Sequence, residues 1–162
     1  MSFIRRSNAA HALERIPKKI HHPELQEIFA GLREIIRPYQ KGLVVKSNTA
    51  LHYELWTNHR YRVNNLQNRG RVLGRQSKSR TGIQFAAVVQ FKKWVSFYLY
   101  PLHLNPELTK DCSDNLRSLF DRGSKSCMHF TRLTDELKAE LEQLIGKCWN
   151  YCLEQGWVKP LE

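Results

Sequence analysis

The side chains best suited to chemistry lie in the second half of the chain. Cys127 and His129 are two residues apart in the run CMHF, and Cys148 and Cys152 are four apart in CWNYC. Strand alternation puts the first pair on one face, and helical spacing puts the second pair on one stripe. If that strand and helix packed together, the four could hold zinc tetrahedrally, although neither spacing is that of a zinc finger or ribbon. Read more simply, they are small apolar thiols beside a strand histidine. Thiol–imidazole catalysis is disfavoured, because two residues along a strand separate the groups by about 6–7 Å. Ser124, Lys125 and Ser126 after Gly123 offer an anion-binding turn, or simply a turn. There is no P-loop, dinucleotide fingerprint, nucleophile elbow or H-E-x-x-H motif. No nucleophile, base and orienting group can be assembled, so a non-enzymatic protein with no cofactor and no metal is expected.

A second chemistry is recognition by aromatic and polar side chains on a sheet. The stretch from Ile83 to Pro101, IQFAAVVQFKKWVSFYLYP, is the longest apolar and β-branched run, with one basic interruption at Lys92-Lys93. It reads as two central antiparallel strands. A turn of only Lys92-Lys93 would give two mixed faces. An odd-numbered loop of three or five residues would put Ile83, Phe85, Ala87, Val89, Val95, Phe97 and Leu99 on one wholly apolar face. That is the register expected, because burial against helices needs an apolar face. Gln84, Ala86, Val88, Gln90, Trp94, Ser96, Tyr98 and Tyr100 then share the other. Of these, Gln84, Trp94, Ser96, Tyr98 and Tyr100 could bind a flat or sugar-like ligand by stacking and directional hydrogen bonds. The same face could equally be solvated or covered by a helix.

A third candidate is electrostatic. Arg60, Arg62, Arg69, Arg71, Arg75, Lys78 and Arg80 occur in 21 residues without one acid, interleaved with Asn, Gln, Gly and Ser. With a net charge of +11, an anionic partner is favoured. Next to Tyr61, Trp94 and Tyr98, this basic loop has the ingredients for phosphate contact and base stacking. No nucleic-acid-binding module signature accompanies it.

The elements that would position these groups can be read in outline. Residues 1–22 form a basic arm with a short helical stretch at 9–16. Pro23 suits the first position of a helix whose stripe is Leu25, Ile28, Phe29, Leu32, Ile35 and Ile36, ending near Arg37-Pro38. Residues 42–49 fit a short strand or a buried connection, and 52–56 a strand that 60–64 continues or pairs with. Asn105-Pro106 and Ser113-Asp114 mark two helix starts, and 127–131 an edge or closing strand. Thr134 caps a long helix with Asp135 and Glu136 in its first turn. Its stripe is Leu137, Leu141, Leu144, Ile145, Cys148 and Cys152, with Gly156 at its end.

The length of 162 residues suits one domain, 23–162, behind the arm. No run approaches the roughly 20 apolar residues of a membrane span, so no membrane association is expected. Arg5-Arg6 is not followed by an apolar segment, so the N-terminus does not read as a secretory signal. A cytoplasmic location with reduced thiols follows as the expectation.

The string FAAVVQFKKWVSFYLYPLHLNPEL, followed by LRSLF, GSKSCMHF, a leucine-rich helix and GWV, resembles the YdhG-like domain family. The likeness covers about residues 50–158 and lies in the order of several short motifs. It implies a small α+β fold: an N-terminal helix, an antiparallel sheet and a long C-terminal helix on one face. Most of that family has no assigned function and no agreed catalytic residues. Some relatives are described as frataxin-like iron chaperones, which implies iron handling through an acidic ridge. Here Glu24, Glu27, Glu34, Asp135, Glu136 and Glu140 alternate with Arg33, Arg37 and Lys138 instead. The sequence therefore leads to a non-enzymatic binding or accessory module of unknown ligand. Nucleic-acid binding through 60–80 is the alternative, and iron handling a further one by analogy.

Overall fold

The computed structural model describes residues 22–62 and 79–162. The expected N-terminal arm and most of the basic segment lie outside them. Helix α1 (Pro23–Ile36) starts at Pro23, and its six expected inward residues are all buried. Pro38 has no N–H to continue the ladder, and the chain tightens into a 3-10 turn, Arg37–Gly42. The stretch with two readings is a strand, β1 (Val44–Asn48). It is followed by β2 (His52–Trp56), β3 (Arg60–Arg62), β4 (Ser79–Thr81), β5 (Gln84–Gln90) and β6 (Val95–Leu99).

After β6 come α2 (Pro101–Leu104), a 3-10 turn (Pro106–Thr109) and α3 (Asp114–Arg117). Ser113 caps α3 by accepting the Leu116 N–H at 3.2 Å, whereas Asn105 makes no side-chain cap bond and only a single tight turn follows it. Strand β7 (Cys127–Phe130) leads to α4 (Asp135–Glu154), where Thr134 accepts the Leu137 N–H at 3.2 Å. All six residues of the expected α4 stripe are buried, and Trp149 joins them. The helix closes through Gly156, at φ 73°, with Trp157 N–H reaching the Cys152 carbonyl at 2.9 Å and Gly156 N–H that of Leu153 at 3.0 Å. This double bond to the last turn satisfies carbonyls that would otherwise be stranded.

Strands β1, β2, β5, β6 and β7 lie in that order in one antiparallel sheet. Strands β3 and β4 pair as a ribbon that prolongs the β2–β5 hairpin, with Thr57 N–H bonded to the Ile83 carbonyl at 2.9 Å. The chain thus has an α+β fold with an N-terminal helix, an antiparallel sheet and a long C-terminal helix. One contiguous core joins α1 and α4 to Tyr53, Leu55, Phe85, Ala86, Val88, Val95, Phe97, Leu99, Met128 and Phe130. Ala87, Val89 and Cys127 are buried but are not part of that core; they mark the second face of the sheet.

The hairpin corrects the expected register. Phe91 N–H bonds to the Trp94 carbonyl at 2.9 Å, so the turn is Lys92-Lys93, not a three- or five-residue loop. Phe97 faces the core and Tyr98 is half-buried on the second face, as expected. Their partners are Val88 and Ala87, however, so β5 presents Ala86, Val88 and Gln90 inward, and Ala87 and Val89 outward. One feature makes the mixed faces tolerable, and another is their cost. Leu55 pairs with Ala86 while Trp56 pairs with Gln84, so Phe85 is an extra, bulged residue that still reaches the core. Gln90 is buried toward the core with its Oε1 unpartnered, a local cost of about 1–3 kcal/mol.

Gly82 joins ribbon to sheet at φ 74°, where an added Cβ would run into the Thr57 carbonyl oxygen. Gly146, inside α4, has open space around it. Urea unfolding is expected to show Gly82→Ala destabilised by about 1–3 kcal/mol. Gly146→Ala should be stabilised by about 0.5–1 kcal/mol.

Candidate ligand-binding face

Alternation along each strand decides what the second face carries. In β2 the inward residues are Tyr53 and Leu55, leaving His52, Glu54 and Trp56 outward. Register then lays these side chains in rows across four strands. One row runs Glu54, Ala87, Tyr98, Cys127, and the next His52, Val89, Ser96, His129. Trp56 lies opposite Gln84 at the end nearer the ribbon. Glu54 and Tyr98 are two strand spacings apart, about 10 Å. Between them lie the small Ala87 and Val89, both buried beneath the larger side chains on either side.

One wall is built on a carboxylate. Glu54 Oε1 accepts from Trp56 Nε1 at 2.6 Å and from Gln84 Nε2 at 2.7 Å, and Oε2 meets His52 Nε2 at 3.1 Å. Burial by itself raises the Glu54 pKa, but the bonds from His52, Gln84 and Trp56 outweigh it and hold it down at about 2. Lys46, the extra residue of a bulge in β1, carries its ammonium 5.9 Å from the centre of the Trp56 ring. The wall therefore has a permanently ionised acceptor inside a frame of donors.

The other wall is aromatic. Trp94 and His129 stack with ring centres 4.9 Å apart and planes 20° apart, and Trp94 Nε1 donates to Ser96 Oγ at 3.1 Å. Burial, reinforced by the charge Cys127 would carry if ionised, pushes the Tyr98 hydroxyl up to about 12, so it stays a neutral donor. Burial likewise raises the Cys127 thiol to about 11. A thiol so raised is a poor nucleophile at neutral pH.

Of the five residues expected to line a ligand surface, Gln84, Trp94, Ser96 and Tyr98 share this face. Ser96 is fully buried and supports Trp94 rather than reaching solvent. Tyr100 separates from them: it has left strand geometry ahead of α2, and its ring stacks on His103 at 5.5 Å. Glu54, His52, Trp56 and His129 were not singled out for this face from the sequence. The signal was the polar–apolar alternation of HYELW, which acquires meaning only once β2 is known to neighbour β5.

The remaining candidates fall elsewhere. Cys127 and His129 do share a face, but it is the second one, whereas Cys148 and Cys152 are buried in the helix-packed core. The zinc reading fails on that separation. Among the described residues no three His, Cys, Asp or Glu side chains are grouped to hold a metal ion. All four cysteines are free thiols. The Ser124 hydroxyl accepts the N–H groups of Ser126 at 3.2 Å and Cys127 at 2.9 Å, closing the turn on itself. Arg60 and Arg80 are exposed at the ribbon, and Arg62 lies on β3. Arg69, Arg71, Arg75 and Lys78 lie outside the described residues. Among the described residues no helix is long and apolar enough to cross a membrane.

Comparison with protein-family models, with curated proteins and with solved structures finds no match.

The depressed Glu54 pKa has a stability consequence of definite sign. A carboxyl whose folded pKa lies below its unfolded value of 4.5 contributes stability above that value and loses it as pH falls through about 2. Glu54→Gln should cost about 1–3 kcal/mol at pH 7, and that cost should vanish between about pH 4.5 and 2 when unfolding is measured across the range.

Proposed function

We propose that this chain is a small non-enzymatic, cytoplasmic binding module of the YdhG-like kind, whose second sheet face takes a flat, uncharged ligand bearing N–H or O–H donors. The observation that carries the reading is the pairing of an ionised carboxylate, Glu54, with the stacked Trp94–His129 wall across the buried Ala87 and Val89. The ligand would lie over the half-buried Glu54, Trp94 and Tyr98 side chains, above the buried Ala87 and Val89. It would donate to Glu54, meet the Tyr98 hydroxyl and rest against the indole. Gln84 orients Glu54 through its 2.7 Å bond. The order of helix, antiparallel sheet and long helix supports the YdhG-like assignment.

NMR titration with nucleosides and aryl glycosides tests this. The Trp94 and Trp56 indole N–H signals should shift, with affinity reduced about tenfold in Glu54→Gln and Tyr98→Phe, the loss of one good hydrogen bond. Probes that leave both indoles unmoved at millimolar concentration would refute it.

A second reading, nucleic-acid binding, is favoured by where the charge sits. Residues 1–21 hold five Lys or Arg against one Glu, and 63–78 hold four against no acid, so eight of the eleven excess positive charges fall on these two stretches. The exposed Arg60 and Arg80 lie on the two strands of the ribbon that flanks the second stretch. A single-stranded oligonucleotide should then bind with an affinity that falls steeply with salt, the logarithmic slope being about −0.7 per phosphate contact. Arg60→Gln with Arg80→Gln should flatten that slope. Salt-insensitive binding, or none at micromolar protein, would dispose of this reading.

A further inference from the structure

A cavity of about 760 Å³ lies away from the second face, between the end of the 3-10 turn at Lys41–Val44, Asn58 with His59, and the segment from Gly156 to Glu162. Its volume is that of a small-molecule site, about 300 to 1,000 Å³. The segment after α4 is held in place at two points. The closure of α4 through Gly156 fixes where Trp157 leaves the helix. Further on, Leu161 packs over Gly42, where an added Cβ would come within 3.2 Å of it.

The aromatic groups of the cavity are set before any ligand arrives. His59 and Trp157 stack with ring centres 5.2 Å apart and planes 11° apart. His59 Nδ1 is 2.9 Å from Thr57 Oγ1, and Thr57 is itself buried, with Oγ1 accepting the Ile83 N–H at 2.9 Å. Tyr151 meets Trp157 edge-on, at 5.7 Å and 88°. Burial lowers the His59 pKa from its ordinary value, which favours the uncharged ring. The cations are Lys41 and Lys159, against one lining acid, Glu162. Neither lysine is paired with a carboxylate among the described residues.

A pair of stacked rings with two uncommitted ammonium groups over a cavity of mixed polar and apolar lining has a definite complement. We propose that this cavity is a second binding site, for a small molecule with a planar apolar body and a single anionic head, of the aromatic carboxylate class. The body lies against the His59–Trp157 plate, and the head sits between Lys41 and Lys159, with the Asn58 amide as a further donor. The ligand differs in charge from that of the sheet face, which is organised around a carboxylate and would repel it.

The test uses the full chain with 2-naphthoate and its neutral counterpart 2-naphthamide, followed by NMR at the four indole N–H signals. Naphthoate should move the Trp157 indole and leave Trp94 in place. Naphthamide should bind at least about tenfold more weakly, since one charged hydrogen bond is worth about that factor. The double variant K41Q/K159Q leaves the rings and the core untouched, and should weaken naphthoate by a similar factor while leaving naphthamide unchanged. The proposal is overturned if naphthoate leaves Trp157 unmoved at millimolar concentration. It is equally overturned if acid and amide bind alike, or if K41Q/K159Q binds naphthoate as the parent does.

Discussion

The bulge at Phe85 is the constraint on which the sheet depends. A two-residue turn at Lys92-Lys93 commits β5 and β6 to a register in which strict alternation would turn Phe85 away from the helices. One extra residue in β5 brings its ring back, to 5.7 Å from Tyr39 and 5.6 Å edge-on from Trp149. The sheet thereby meets both the 3-10 turn after α1 and the middle of α4. Beyond the bulge the alternation resumes, with Ala86 and Val88 inward and Ala87 and Val89 outward. A bulge in a central strand is costly to the ladder, and here the burial of a large ring offsets it.

The same device explains why the second face has its composition. With Ala87 and Val89 outward, the middle of that face is small and apolar, and its polar groups are displaced to the flanking strands. Glu54 comes from β2, Tyr98 from β6 and His129 from β7. Had the odd-numbered loop formed, Gln84, Ala86, Val88 and Gln90 would have run down the centre, with two glutamines available to solvent. Instead Gln90 is buried with an unpartnered Oε1, and Gln84 is drawn into the Glu54 network. The face therefore has a charged side and an aromatic side over a small, buried apolar middle, rather than a uniform polar surface.

Much of the scaffold was legible in the sequence because its signals are local. Pro23, Thr134 and Gly156 mark helix ends by their own backbone chemistry, and both helical stripes came out buried residue for residue. The register was not legible, because it goes with a bulge at Phe85 that is defined by the pairing of β5 with the distant β2, Leu55 with Ala86 and Trp56 with Gln84. The candidate site shared that fate. Trp94 and Tyr98 stood out by type, but Glu54 and His52 gained a role only through strands that lie some thirty residues away in sequence. The thiols misled in the opposite sense. Cys127 and Cys148 satisfied spacing rules on their own elements, yet those elements face each other through Met128 and Phe130, not through Cys127 and His129.

The pairing of the hairpin is the claim on which both the faces and the ligand reading rest. Cross-strand backbone NOEs in a uniformly labelled sample test it most directly. The account predicts contacts linking Val88 with Phe97, Ala87 with Tyr98 and Ala86 with Leu99, and a two-residue turn closed by Phe91 and Trp94. Contacts placing Val89 opposite Phe97, with an odd-numbered loop between the strands, would contradict it.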